Sequence, residues 1–418
     1  MKFLLISMAL LTGLISAGQT LSLAHAQEQA EKNYPAISRK SLIAQTAAIS
    51  IENLQKVFLP QVSVSAQASY QSDVTQIPIS LPGLNIQSPS KDQYRILTDI
   101  SQLVYDGGIT KAKKELQQLN AAAEQQKLEL ELYQVREKIN QLFLGILLID
   151  QQLKQVALLS EDIQTGINRV EAQLKNGTAF RSALDLLKAE LLKTGQRNIE
   201  LTSARKGWID ALSLFMGEEL PMGIKLLSPD SFDMAIPMNR PELKLFEQQS
   251  LFLNAQKKLV DAGLKPRASI FSQAGYARPG LNMLKNEFAF YYIAGLRWNW
   301  SFSNFYTRKK EKEQIEVNKK TIETQKQSFL LQSNAQLLQQ QAEIDKFKKL
   351  IASDREIVEL RHNVTMASKA QLENAVITAN DYLLQVNAED QARQIMIYHQ
   401  IQLIQARVNY QTTLGGKF

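Results

Sequence analysis

Apolar residues recur with a period of seven through the middle of the first half of the chain. Leu128, Leu132, Val135, Ile139, Leu142, Ile146, Ile149, Leu153, Val156, Ser160, Ile163, Ile167, Val170 and Leu174 alternate spacings of four and three, and only Ser160 is polar. A seam kept in step over that length predicts a coiled-coil helix. No proline falls between Gly107 and Glu219. Read as one helix, Ile109–Leu174 is about 100 Å long, roughly three times the width of a small domain. A second long helix is expected over about Tyr306–Leu372. Its stripe is narrower, with Leu330, Leu337, Ile344, Ile351 and Val358 set among Gln, Lys and Glu. Such a helix suits a wall around water, and an ordinary antiparallel coiled coil equally well. Gly145 and Gly166 interrupt the first helix. Each costs about 1 kcal/mol against alanine, which close approach of another helix would explain.

The period changes to two elsewhere. In Gln61–Tyr70, Val62, Val64, Ala66, Ala68 and Tyr70 alternate with Gln61, Ser63, Ser65, Gln67 and Ser69. This predicts a strand with one apolar and one wet face. A helix over about Ala36–Leu59 precedes it. Asp73–Asp92 reads as a loop, rich in Pro, Gly, Ser and Asn. Tyr94–Tyr105 reads as the return strand. Later, Ala268, Ile270, Ala274 and Tyr276 share a strand face. Phe288, Phe290, Tyr292, Ala294, Leu296, Trp298, Trp300 and Phe302 share another. Strands of about ten residues, apolar on one face with aromatics at the ends, suit the wall of a membrane β-barrel. Four strands cannot close a barrel, so several copies would have to pool them.

The chain also reads as two copies of one unit. One constant shift lays Pro35 and Pro60 on Pro241 and Pro266, and Gln67-Ala68-Ser69-Tyr70 on Gln273-Ala274-Gly275-Tyr276. A shorter shift lays Pro82-Gly83-Leu84-Asn85 on Pro279-Gly280-Leu281-Asn282, and one residue more lays Asn176 on Asn374 and Gly217 on Gly415. The change marks an insertion between Tyr70 and Pro82. Matches that stay in order along the chain point to duplication. The expected fold is mainly α with a small β part, in two tandem repeats of helix, strand, strand, long helix, helix. The expected divisions are a signal peptide at 1–26, a first repeat at 27–220, a linker at 221–239 and a second repeat at 240–418.

Composition narrows the function. Lys2, the apolar run Phe3–Ile15 and Ala24-His25-Ala26 have the layout of a secretory signal cut before Gln27. No later run approaches the 20 apolar residues of a membrane helix, so none is expected. The chain has no cysteine. That excludes disulfides, thiolate metal sites and a lipid anchor on an N-terminal cysteine. The formal net charge is +7, but the cations lie among acids and glutamines. This reads as a solvated helix surface and not as a nucleic-acid patch. His25, His362 and His399 are the only histidines, and none sits at metal-ligand spacing from another. No nucleophile–base pair or phosphate loop stands out. No catalytic site, cofactor or metal is expected.

Several local motifs carry a resemblance: Leu59-Pro60, Tyr105-Asp106-Gly107-Gly108, Asn176-Gly177-Thr178, Leu212-Ser213-Leu214-Phe215-Met216-Gly217, and the run Glu373 to Leu383. With the duplication, the signal and the long helices, the chain resembles the TolC-like outer-membrane efflux proteins over residues 35–416. The resemblance implies a homotrimer. Twelve pooled strands would form an outer-membrane β-barrel in lipid, continued by a long α-helical barrel through the periplasm. It implies partnership with a periplasmic adaptor (membrane fusion) protein and an inner-membrane transporter. The complex would be the exit duct of a tripartite efflux or type I secretion system for drugs, metals or polypeptides. Cargo choice would belong to the transporter. A periplasmic coiled-coil scaffold or stalk without a pore is the alternative.

The resemblance further implies a periplasmic gate and adaptor tip at the two helical turns. Asn176, Gly177, Thr178, Arg181 and Asp185 fall at the first, and Asn374, Ile377, Asp381, Tyr382 and Leu384 at the second. Asp381 matches an acid of the family's gate, and a helix cap would explain it as well. The chain departs from the pattern elsewhere. Leu384 stands at the second gate acid, Ile377 at the latching arginine, Ala183 at the acid of the first turn, and Ala375 opposite Gly177. Closure by apolar packing of Ile377, Tyr382 and Leu384 is therefore expected in place of a salt-bridge latch.

Overall fold

The computed structural model describes residues 20–75, 88–229, 232 and 236–416. The elements in order are β1 (Thr20–Leu21), α1 (Leu23–Asn33), α2 (Arg39–Gln55), β2 (Gln61–Tyr70), β3 (Asp92–Tyr105), α3 (Ile109–Lys175), α4 (Arg181–Met216), β4 (Lys225–Leu226), α5 (Pro241–Ala262), β5 (Arg267–Arg278), β6 (Ala289–Asn299), α6 (Asn304–Glu373) and α7 (Ala379–Leu414). They fall into two compact units. One comprises Ser38–Lys127 and Glu242–Gln327, and the other Met1–Ile37, Leu128–Pro241 and Ser328–Phe418. The apolar core of the expected signal, most of the β2–β3 loop and Phe418 lie outside the described residues.

The first unit is built on a four-stranded antiparallel sheet in the order β2-β3-β5-β6. The alternation in sequence becomes a two-faced sheet because the register keeps like beside like. Val62 pairs with Ile100, Ala66 with Ile96, Ile96 with Tyr276, and Tyr276 with Phe290. The opposite face carries Ser63, Asp99, Gln273 and Ile293 in one row. β6 is shorter than the expected Phe288–Phe302, because the ladder to β5 ends at Asn299. Tyr105-Asp106-Gly107-Gly108 forms the corner between strand and helix. Asp106 caps α3 by accepting from the Gly108 amide at 2.8 Å and the Thr110 amide at 2.6 Å. Gly107 turns with φ +73°, and a Cβ there would lie 2.9 Å from that of Lys265. α5 is tied to the base of α6. Lys312 bonds to Asp261 at 2.8 Å, and Asn304 to the Gly263 carbonyl at 2.8 Å.

In the second unit the heptad seam is the core. Leu128, Ile139, Ile146, Val156, Ile163, Ile167 and Val170 are all buried. Ile139, Phe143 and Ile146 of α3 pack with Ile209, Leu212 and Met216 of α4 and with Val408 of α7. The glycines mark close contacts. A Cβ on Gly145 would meet the Trp208 ring at 2.0 Å, and one on Gly166 would meet Tyr382 at 2.9 Å. α6 is wetter, as its narrow stripe predicts, yet Ile344, Ile351 and Val358 are buried. α3 contains a stretch apolar enough to cross a membrane by length and composition alone, and half of that stretch is buried within the chain.

The cleavage expected after Ala26 would fall within a helix. Ala24-His25-Ala26 lies inside α1, whose first turn is capped by the Ser22 hydroxyl accepting from the His25 amide at 3.2 Å. Leu21, Leu23, Ala26 and Ala30 are buried in the α3–α4 core. β1 pairs in parallel with β4 of the 221–239 linker, and Gln27 donates to buried Asn140 at 2.6 Å. Small residues at 24–26 suit a packed helix as well as a peptidase. Arg205 pins the same linker, reaching Asp150 at 2.5 Å and the Ile224 carbonyl at 2.9 Å. A chain starting at Gln27 loses two buried leucines, each worth about 1.5–3 kcal/mol. We expect its helical unit to melt well below that of a chain starting at Gln19. Equal melting temperatures by circular dichroism would contradict this placement.

Candidate functional site

Two features have no role in building either core: the outward faces of the sheet, and the turns that join α3 to α4 and α6 to α7. On the sheet, one face is apolar and bare. Leu296 is 83% exposed, Tyr292 75% and Phe290 71%. Aromatic rings gather at its two ends. Tyr276 stacks on Phe288 at 5.5 Å, with Tyr94 6.3 Å from Phe288. At the other end Trp300 meets Phe302 at 4.8 Å. Phe290 and Trp298 lie about 27 Å apart along β6 at the usual strand rise. Small or aliphatic side chains such as Ala66, Thr98, Ala274 and Ile270 fill the interval.

The two helical turns close with the same backbone bonds. In the first, the Gly177 amide bonds to the Leu174 carbonyl and the Thr178 amide to that of Gln173. In the second, the Ala375 amide bonds to Leu372 and the Val376 amide to Gln371. This is the paired bonding of a helix end that needs one left-handed residue. Gly177 supplies it at φ +74°, and Ala375 is forced into it at φ +56°.

Most of the expected tip residues are exposed. Asn176, Gly177, Thr178 and Asn374 form the turn surfaces. Asn374 caps its own helix by donating to the Ala370 carbonyl at 2.8 Å. Arg181 and Asp185 are one turn apart on α4, both largely exposed, with 3.9 Å between charged atoms. A pair that open to water contributes little. Asp381 forms a capping box with Thr378. It accepts from the Thr378 amide at 3.1 Å and hydroxyl at 2.7 Å, while its own amide donates to that hydroxyl at 3.2 Å. The Thr378 bonds hold its carboxyl below the ordinary value. The cap is thus formed, and the carboxylate still faces water.

Within one copy the three residues expected to close the gate have different surroundings. Tyr382 is buried, packs against Gly166 and donates to the Asp162 carbonyl at 3.2 Å. Burial, with Asp162 and Glu389 nearby, pushes its phenol up to about 12. Ile377 packs against the same cluster. Leu384 turns away and is 57% exposed. Exposed apolar residues instead include Phe180 and Val376, one on each turn, at 83% and 70%. Their sequence surroundings gave no signal, since isolated apolar residues in turns have no period.

A further cluster joins the helices behind the turns. His362 of α6 bonds Glu389 of α7 at 3.0 Å, and His399 of α7 bonds Asp354 of α6 at 2.6 Å. Arg393 donates to Glu389 at 2.9 Å. Burial would raise the Glu389 carboxyl, but bonds from Arg393, Thr365 and His362 hold it below its ordinary value. Burial pushes Asp390 up instead, against a Gln155 amide at 3.2 Å and Arg197 at 3.6 Å. Among the described residues no three His, Cys, Asp or Glu side chains converge as metal ligands.

Solved structures share this architecture. The outer membrane protein VceC of Vibrio cholerae matches with a TM-score of 0.69 at 13% identity, over 95% of this chain and 96% of that one. CusC, whose structures concern folding and transmembrane channel formation, matches at 0.67 and 15%, over 94% and 92%. The CmeC outer membrane channel of Campylobacter jejuni matches at 0.65 and 12%, over 95% and 86%. No family model and no curated protein matches the sequence. At these identities the likeness is one of fold, and the fold is the TolC-like one.

The left-handed alanine yields a direct test. A non-glycine residue there costs roughly 1–2 kcal/mol, and glycine gives back less than about 1 kcal/mol through the unfolded chain. Ala375→Gly should therefore stabilise the helical unit by about 0.5 kcal/mol, and Gly177→Ala should destabilise it. Denaturant titration showing a loss for Ala375→Gly would contradict the assigned turn.

Proposed function

We propose that the chain is a subunit of an outer-membrane channel, the exit duct of a tripartite efflux or type I secretion system. The observation that carries the reading is the sheet. It offers lipid a bare apolar face about as tall as the roughly 25 Å apolar band of outer-membrane barrels. Among the described residues β2 and β6 have no partner on their outer edges. Such edges are costly in hydrocarbon, where each unpaired backbone group loses several kcal/mol. Copies that pool their strands remove every edge, and three copies give the twelve strands the resemblance implies. α3 and α6 begin within a few residues of β3 and β6. They would continue the wall into the periplasm, and the two turns would meet the adaptor protein that links the duct to an inner-membrane transporter. The like order of elements in the two halves, α2-β2-β3-α3-α4 and α5-β5-β6-α6-α7, supports tandem duplication.

The likeness in fold to VceC, CusC and CmeC favours this over a periplasmic scaffold or stalk. So does the apolar face, which a scaffold in water would have to hide. Small molecules and polypeptides are both suitable cargo classes. In a threefold ring Asp381 is repeated around the tip, where its free carboxylate would attract cations while the same group caps α7.

The reading predicts a trimer-sized complex extracted from the outer-membrane fraction in mild detergent, falling to monomer on heating. A monomer in the soluble periplasmic fraction would contradict it. Asp381→Asn should lower cation preference in planar bilayer recordings. Unchanged selectivity would leave Asp381 as a helix cap alone.

A further inference from the structure

The polar face of the sheet carries three arginines and one carboxylate. Arg95 lies opposite Ala277, Arg267 opposite Asn299 and Arg297 opposite Ser269, all on the face of Asp99 and Gln273. The bonding of these arginines is one-sided. Arg95 donates to the neutral Gln67 amide oxygen at 2.7 Å. The Arg297 guanidinium lies over the Phe271 ring at 4.7 Å. Asp99 accepts from the Gln273 amide at 2.5 Å. Among the described residues no carboxylate pairs with any of the three arginines. The stretch 76–87 outside them contains no acid.

Arg278 is treated differently. It falls on the apolar face, where Asp92 takes its guanidinium and the rings of Tyr94 and Phe288 lie 5.3 Å away. A cation facing hydrocarbon must be paired or shielded. The same sheet leaves its other arginines unneutralised, on the face the channel reading turns toward water. At the end of the sheet near Pro279 a cavity of about 400 Å³ lies on this face. Its lining includes Arg95, Gln67, Gln93, Tyr291, Leu281 and Met283, and Arg278 at its rim, so guanidinium groups lie beside amides and apolar side chains.

Resting on the channel reading, we propose that the inner face of the strand wall selects anionic solutes, in particular amphiphilic organic anions bearing a carboxylate, sulfonate or phosphate. Arg95 supplies the positive charge at the loop end, and Arg267 and Arg297 at the helix end. Symmetry repeats each arginine into a ring, the arrangement that favours anions in narrow pores. By strand rise the helix-end arginines lie about 27 Å (Arg297) and about 34 Å (Arg267) from the level of Arg95. Both distances exceed the screening length of about 8 Å at physiological salt, so the two ends act independently. Low-dielectric walls focus the field of each ring on the passing solute.

The test is the reversal potential of the full-length protein in planar bilayers under a KCl gradient. It is made in the wild type, in Arg95→Gln, Arg297→Gln and the double variant, and again with Asp381→Asn so that the helical tip does not mask the wall. All three arginines are exposed, and the heat-sensitive oligomer checks assembly. The chloride-to-potassium permeability ratio should fall about threefold or more in the double variant. Arg95→Lys, which keeps the charge, should leave it near the wild-type value. Naphthalenesulfonate should block the wild-type current and lose that effect in Arg95→Gln. Conductance with an unchanged ratio and an unchanged block would overturn this inference and leave the channel reading standing. Absence of any conductance from the wild type would overturn the channel reading, and this inference with it.

Discussion

A strand edge without a partner is the constraint from which the rest of the account follows. Among the described residues the sheet presents one apolar face and two edges without a partner strand, each about ten residues long. In water the edges invite aggregation, and in lipid they leave backbone groups unsatisfied. Either way an open edge favours a partner strand. Twist and register already sort its side chains into a wet and a greasy row, so closing the wall needs only further copies of the same sheet. The proposed channel is the simplest structure that meets this obligation.

Packing in the helical unit meets a different demand. Long helices need contact along their whole length, and the seam of α3 provides it through Ile139, Ile146, Ile163 and Ile167. Glycine is used where a neighbour must come closer than a Cβ allows, at Gly145 under Trp208 and Gly166 under Tyr382. Polar bonds hold particular levels together: Gln27 to Asn140 beside the linker, His362 to Glu389 and His399 to Asp354 behind the turns. The turns carry few such bonds to other elements, and their side chains are left in water.

What could be read from the sequence followed period. β2 begins and ends where the alternation does, and α3 ends within one residue of its seam. Features set by tertiary contact were less legible. Ala24-His25-Ala26 looks like a cleavage site because small residues suit a peptidase and a packed helix alike. The ring of Tyr382, a residue expected at the gate, lies over Gly166, a contact between residues far apart in the chain. The capping role of Asp381 could be read from Thr378 three residues before it. The strained alanine at 375 could be anticipated only by matching it to Gly177. The arginines of the polar face were visible as residues, but that none pairs with an acid among the described residues emerges only from the register of four strands.

The central claim is that strands from several copies close one wall, and the absence of cysteine permits a clean test. Paired cysteines would be placed in the middle of the two edge strands, Ser65→Cys on β2 with Tyr291→Cys, Ile293→Cys or Gly295→Cys on β6 in turn. Oxidation in outer-membrane vesicles should give, for at least one pair, a ladder of dimer and trimer that stops at trimer. No crosslinking for any pair, or a ladder that runs on without end, would contradict a closed ring of three.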